Sequence, residues 1–340
     1  MKKHGTKIMI AILVVGILLT VIGYMNGAWL WVYADLSGVH IQQPAQDTSY
    51  DLVPKDYDNI KINVDYATVQ ILPSEDNDIH IDAIARPCTY EVKDGALVIS
   101  SSYFGNGWSF ININMSFLRP TSAKITVRLP KKEWKSLNVK SSMGGIDVKD
   151  IKANVLDLTC LFGDIHLDNI QGKMQIEMQN GSLYADKLTG ESFKYENSFG
   201  SADVQNAVVD LVEMSSKNGD IRLNNIQMKS LVLENYFGWM HGENINGDRL
   251  IANSHNGDVT LIGNLKIAVR ITNQFGKVTL GLPNIKNDEY FCSFTTSFGS
   301  VYIDGERHDG KQMLLNIDTP EKSVQIENKN GDIRVNFKNE

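Results

Sequence analysis

Tyr184, Arg222, His241, Tyr302 and Arg334 lie far apart in the chain, yet each stands three residues after a glycine. Rings and guanidinium groups repeated at one offset suit recognition: flat faces for stacking and a fixed fork of donors for hydroxyl, phosphate or carboxylate groups. These five form the candidate ligand face. A different chemistry is offered one residue after the glycines, where Asp164, Ser182, Ser201, Asp220, Trp239, Asp258, Lys277, Ser300 and Asp332 stand. Clustered carboxylates on a β-helix face cleave glycans, but here Asp never falls on adjacent copies. Asp at this place reads as a turn residue bonding backbone amides.

The other constellations lead away from catalysis. No phosphate-cradling glycine loop, His-Glu-x-x-His or Gly-x-Ser-x-Gly occurs. The histidines are scattered, and His166 and His241 share an offset four copies apart, too distant to ligate one metal. A nine-residue calcium ladder is also missing. The expectation is no catalytic residue, no cofactor and no metal. A glycan-active β-helix enzyme stays open as the alternative, with Asp304, Glu306 and Asp309 from a C-terminal insertion as its carboxylates. A purely structural or regulatory scaffold is the third reading.

What positions the ligand face is a repeat. Glycines 144, 163, 181, 200, 219, 238, 257 and 276 recur about every 19 residues, with looser copies at Gly299 and Gly331. Residues two and four after each glycine are apolar or small, and the residue between is polar or aromatic, the alternation of a strand with one buried face. A second strand precedes the glycine, with apolar pairs such as Met174/Ile176 and Leu231/Leu233 at fixed offsets. Asn-Gly reads as a corner with positive φ, whereas Phe-Gly leaves that strain on glycine alone. The two corner types alternate from Phe162 to Phe275, through either an ancestral 38-residue duplication or alternating environments. Translational repetition favours an all-β, single-stranded β-solenoid over an antiparallel meander, because each offset then forms a ladder of like residues.

The first 34 residues differ from the rest. Lys2, Lys3 and Lys7 precede an apolar run from Ile8 to Tyr24, and Trp29, Trp31 and Tyr33 follow like an interfacial belt. This predicts one transmembrane helix with the N-terminus inside and an extracytoplasmic C-terminal domain; a signal peptide cut after Ala34 is the rival. Residues 35–57 read as a linker, 58–140 as irregular first rungs and a cap, and 141–337 as regular repeats. Insertions at 281–291 and 305–321 are expected to loop out. The apolar segment Trp108–Leu118 reads as a buried strand or cap, with a membrane- or partner-touching edge as its alternative.

The formal net charge of −7 argues against nucleic acid, which needs a basic footprint. Three cysteines, Cys88, Cys160 and Cys292, do not make a disulfide framework and read as small buried fillers.

The phrases Lys217-Asn-Gly-Asp-Ile-Arg-Leu223, His255-Asn-Gly-Asp-Val-Thr-Leu261 and Lys329-Asn-Gly-Asp-Ile-Arg-Val335 resemble the bacterial putative-adhesin family of β-strand-repeat proteins. So do Ile62–Ile71 and Ile125–Pro130, which extends the resemblance over about residues 58–337. It implies a cell-envelope β-solenoid outside the cytoplasmic membrane, of a kind often linked to envelope stress, and the first reading is a non-enzymatic anchored module that binds an envelope component or a membrane protein. The family supplies no catalytic residues to carry over.

Overall fold

The computed structural model describes residues 7, 9, 12–18, 31–35, 38–42, 47–53, 57–84, 88–101, 111–114, 123–283, 289–308, 310–316 and 322–337. Residues 7, 9 and 12–18 are helical, and the others form an all-β molecule built around a parallel stack. The strand Ile146–Phe162 pairs in parallel with Ile165–Asn180, which pairs with Leu183–Phe199, and so on to Val259–Phe275. Each step in register is one repeat, so residues of equal offset lie directly above one another. The residues two and four after each glycine are buried without exception from Ile146 to Val335. The core is one continuous column of Ile, Leu, Val and Met side chains, whose burial is the main stabilising term.

Two of the bends in the regular coils hold residues at positive φ. At the first corner the marker glycines take φ between 118° and 153°, from Gly144 to Gly276 and again at Gly331. Here the structure corrects the reading of Asn-Gly. Asn180, Asn218, Asn256 and Asn330 do not have positive φ; in both corner types the glycine alone does. The second corner lies six residues after the glycine, where Asp150, Asn169, Lys187, Asn206, Asn225 and Asn244 all sit at φ between 51° and 56°. Asn and Asp tolerate this left-handed region better than other side chains.

Both ends of the stack depart from chain order. Val278–Gly281 pairs with Ile333–Asn336, which in turn pairs with Val301–Ile303. Likewise Ser323–Asn330 lies between Val259–Phe275 and Phe291–Phe298. The last repeat of the chain is therefore inserted beneath the one before it. This corrects the expectation that the copies at Gly299 and Gly331 follow in sequence order. The insertion 305–321 is not simply looped out. Glu306–His308 and Gln312–Leu315 pair antiparallel with the outermost strands, covering the edge that an open stack exposes.

The N-terminal end uses the same device. Asn59–Val64 lies between Glu133–Met143 and Ala96–Ser101, while Thr68–Pro73 lies between Ile146–Phe162 and Lys124–Leu129. Antiparallel strands Ile79–Ile84 and Thr89–Lys93 close this end.

Thr48–Leu52 pairs with Ile79–Ile84. Trp31–Asp35 pairs with Gly38–Gln42 and Ile111–Asn114. Residues 35–57 thus contribute strands where a linker was expected. Trp31 and Tyr33 take strand conformation, and among the described residues no helix is long and apolar enough to cross a membrane. Apart from Ile111–Asn114, the segment Trp108–Leu118 lies outside the described residues, as does 284–288 of the insertion at 281–291.

Candidate functional site

The residues three after each glycine form one outward ladder on the sheet face. Its order is Gln70, Asp147, His166, Tyr184, Asp203, Arg222, His241, Thr260, Thr279, Arg334 and Tyr302. The five candidate residues therefore separate into two groups. Tyr184, Arg222 and His241 sit near the middle of the stack; Arg334 and Tyr302 are direct neighbours near its C-terminal end, brought together by the inserted repeat. Two threonines lie between the groups.

The ladder orders flat groups on one another. The His166 and Tyr184 rings stack with centroids 5.0 Å apart, 16° from parallel. Arg222 lies over the Trp239 ring at 5.1 Å, and His241 meets the same ring edge-on at 6.1 Å. Arg334 lies over Tyr302 at 5.0 Å. Such pairs hold rings and guanidinium groups in place. They also consume part of each side chain's binding capacity, so the ladder presents composite surfaces rather than single residues.

At its N-terminal half the face is concave. Asp147, His166, Tyr184 and Asp203, with Lys149 and Asp168 beside them, line a shallow open trough of about 400 Å³. Lys149, and after it Lys187, hold the Asp168 carboxyl below its ordinary range. Asp186 is held low by the Asn206 amide first and then by Lys187. These carboxylates are ionised acceptors, unsuited to act as general acids near neutrality.

The aspartates one residue after the glycines bind backbone. Asp164 Oδ1 accepts from Ser182 N at 2.7 Å, Asp220 from Trp239 N at 3.0 Å, and Asp258 from Lys277 N at 2.7 Å. Asp332 accepts from Ser300 N at 3.0 Å, which spans the reordered C-terminal coils. They are rung-to-rung ties, as their turn chemistry suggested. Of the alternative carboxylates, Asp304 accepts from Phe337 N at 2.7 Å, and Asp309 lies outside the described residues. Among the described residues no group of three or more His, Cys, Asp or Glu is arranged to hold a metal ion.

The three cysteines are buried and free, and burial pushes the Cys160 thiol up to about 11 and that of Cys292 to about 12. Their thiolates, the reactive form, are scarce at neutral pH.

One feature escaped the sequence reading and a second was read only as alternating corner types. Trp239 was noted only as a residue after a glycine, although Tyr236-Phe237-Gly238-Trp239 is a dense aromatic run around one corner. Tyr236 stacks on His255 of the next coil, centroids 4.5 Å apart. The second feature is the outer edge of the glycine corner. In stacking order it reads Phe162, Asn180, Phe199, Asn218, Phe237, Asn256, Phe275, Asn330, Phe298. The phenylalanines are 49–74% exposed. In the chain the alternation breaks after Phe275, where Phe298 comes next. In space the inserted repeat places Asn330 between them and the alternation continues.

The family described as Toastrack DUF4097 matches residues 57–336. No curated protein matches. Among solved structures, a putative cell adhesion protein from Clostridium sporogenes is 13% identical over 87% of this chain and 100% of its own, with a TM-score of 0.22. A putative lipid binding protein from Parabacteroides distasonis is 13% identical over 85% of this chain and 96% of its own, with a TM-score of 0.45. A putative adhesin from Bacteroides fragilis is 13% identical over 86% and 97%, with a TM-score of 0.34.

Proposed function

The chain belongs to the Toastrack DUF4097 family, and on that premise we propose that it is a non-enzymatic, adhesin-like binding module of the cell envelope. In this reading residues 1–34 anchor it in the cytoplasmic membrane with Lys2, Lys3 and Lys7 inside, and the stack stands on the outer side. Its role is to bind an envelope component or a membrane protein, in keeping with a function in envelope stress.

One observation carries the reading. The outward ladder sets Arg222, Trp239 and His241, and separately Arg334 and Tyr302, as pre-stacked flat surfaces on a rigid sheet. Groups fixed before binding lose little freedom when a ligand arrives, which favours recognition over turnover. Rings and guanidinium groups together suit ligands with apolar faces and hydroxyl or acidic edges.

The test is co-sedimentation of the detergent-solubilised full chain with isolated cell-wall sacculi and with anionic liposomes, with and without calcium. Saturable binding that falls about tenfold in Y184A/R222A supports the reading. Absence of binding to either material in all conditions removes it. Orientation is tested separately, by labelling single cysteines placed at positions 3 and 53 with an impermeant reagent in intact cells. Labelling at 3 and not at 53 overturns the topology.

A further inference from the structure

The ring–amide alternation along the glycine corner runs further than any pattern beneath it. Two residues inward, Asn197, Asn235 and Asn273 lie under phenylalanines and Ser216 and Ser254 under asparagines, but towards the ends Cys160, Met178, Asn328 and Thr296 break that inner pattern. The outer alternation holds over every one of them. It also holds in space where chain order breaks it. The phenylalanine rings are half or more exposed, so they add little to the core, and solvent-facing apolar groups in a row mark a contact surface.

We propose that this edge binds a single strand of an uncharged, β-1,4-linked polysaccharide lying along the stack, with Tyr236 and Trp239 flanking its centre. The proposal rests on the envelope-binding reading above and names its ligand class. The rings recur on every second coil, about 10 Å apart at the parallel-sheet step. In a β-1,4-linked chain successive sugars turn over, so the same apolar face recurs at every second ring with hydroxyl edges between. A disaccharide is close to two coil steps in length. Phenylalanine rings then meet the C–H faces, and the partly exposed amides of Asn180, Asn218 and Asn256 meet hydroxyls as donors and acceptors, with Asn330, whose Nδ2 donates to Gln274 O at 3.2 Å, offering its carbonyl oxygen.

Other occupants fit less well. Hydrocarbon laid on the edge leaves those amides without partners, which is costly. A second copy brings another formal charge of −7 against the first, and sets rings against amides. A neutral, hydroxyl-rich strand avoids both penalties.

The experiment is calorimetric titration of the full chain in detergent micelles with the dimer, tetramer and hexamer of β-1,4-linked N-acetylglucosamine. Binding should tighten at least tenfold from dimer to hexamer and weaken at least tenfold in F199A/F237A/F275A. The control V208A/I251A, which changes exposed residues off this edge, should bind as the parent does. All three edge rings are exposed, so an unchanged melting profile checks that the triple variant folds. No hexamer binding, binding independent of length, or unchanged binding by the triple variant overturns the proposal. So does a light-scattering mass that halves in the triple variant, which assigns a second copy. Quenching by brominated phosphatidylcholine in nanodiscs that W239F abolishes assigns lipid.

The same variants on sacculi separate this inference from the broader reading. Sacculus binding lost in Y184A/R222A but kept in the triple variant rejects the edge alone. Hexamer binding without sacculus binding rejects the envelope role and keeps the edge's sugar chemistry.

Discussion

Two of the corners in each coil solve the same problem by opposite means. At the glycine corner the stacked backbones come so close that no side chain fits: a Cβ on Gly238 would lie 2.3 Å from the Gly219 carbonyl oxygen, and one on Gly257 1.9 Å from that of Gly238. At the other corner only the backbone angle is demanding, and Asn169, Asn206 and Asn225 meet it while their amides form an external ladder. Asn225 Nδ2 donates to Asn206 Oδ1 at 2.7 Å, and Asn169 Nδ2 to Asp150 Oδ1 at 2.6 Å. The first corner is closed by the absence of atoms, the second by added hydrogen bonds.

Gly238→Ala therefore has the largest expected effect. Its φ of +126° is essentially closed to alanine, and the methyl group meets backbone that cannot yield. The expected loss is about 3 kcal/mol or more in urea unfolding. A loss below about 1 kcal/mol breaks the comparison, because it means the coils can separate at this corner.

The polar ladder inside the glycine corner sharpens the point. Asn197 is buried, and its Nδ2 donates to the carbonyls of Gly181 at 3.0 Å, Phe199 at 3.2 Å and Gly200 at 3.2 Å. Asn197→Ala takes this donor from the Gly181 and Gly200 carbonyls, while that of Phe199 still accepts from Gly181 N at 3.0 Å, and should cost about 2 kcal/mol. Ser216 holds the same place one coil on, yet its buried Oγ has no hydrogen-bond partner. Ser216→Ala should change stability by less than about 0.5 kcal/mol. Equal losses would show that the ladder acts through shape and not through hydrogen bonds.

This inner ladder shows where the sequence stops being readable. The period, the inward positions and the glycine corner were legible because each is a local pattern: a glycine, then an apolar residue on either side of an outward one. The second corner left a fainter trace, an Asp or Asn six residues after five of the six glycines from Gly144 to Gly238, which Lys187 interrupts and which the sequence reading did not pick out. The reordered ends were hidden too, since pairing between Ser323–Asn330 and Val259–Phe275 spans about fifty residues of chain. One clue was present. The Phe/Asn alternation fails between Phe275 and Phe298, and placing Asn330 between them restores it. Of the candidate ligand face, the shared offset was legible, but its division into two groups follows from that same reordering.

At the asparagine corner the expected effects are smaller. Asn225→Ala keeps the chain path but puts alanine in the left-handed region and removes the bond to Asn206, a loss of about 1 kcal/mol. Lys187 already breaks the pattern, holding φ +55° with a side chain that gains nothing there beyond exposed pairs to Asp168 and Asp186. Lys187→Asn should raise Tm slightly, by about 1–2 °C. A fall in Tm would mean that those pairs outweigh the backbone preference.

The smallest effect belongs to neither corner and marks the limit of both. Among the described residues the strand Thr48–Leu52 pairs only with Ile79–Ile84, and His80 ties the two: its Nδ1 lies 2.6 Å from Asp51, while Nε2 lies 2.9 Å from Asp76. Asp51 first, and then Asp76, raise the His80 pKa. Asp76 is lowered to about 2, chiefly by His80 and then by the Ser74 hydroxyl. The histidine's contribution is fully present below its unfolded value, about 6.5, and is lost as pH rises through the raised folded value. That of Asp76 is present above its unfolded value and is lost as pH falls through about 2. The clasp is thus complete between about pH 4 and 6.5. Since its groups are exposed, the loss on going to pH 8 should appear only as faster amide exchange in Tyr50–Leu52 beyond the ordinary base catalysis, and His80→Gln should abolish that difference. Exchange that keeps its pH dependence in His80→Gln would show that the strand is held by its backbone pairing alone.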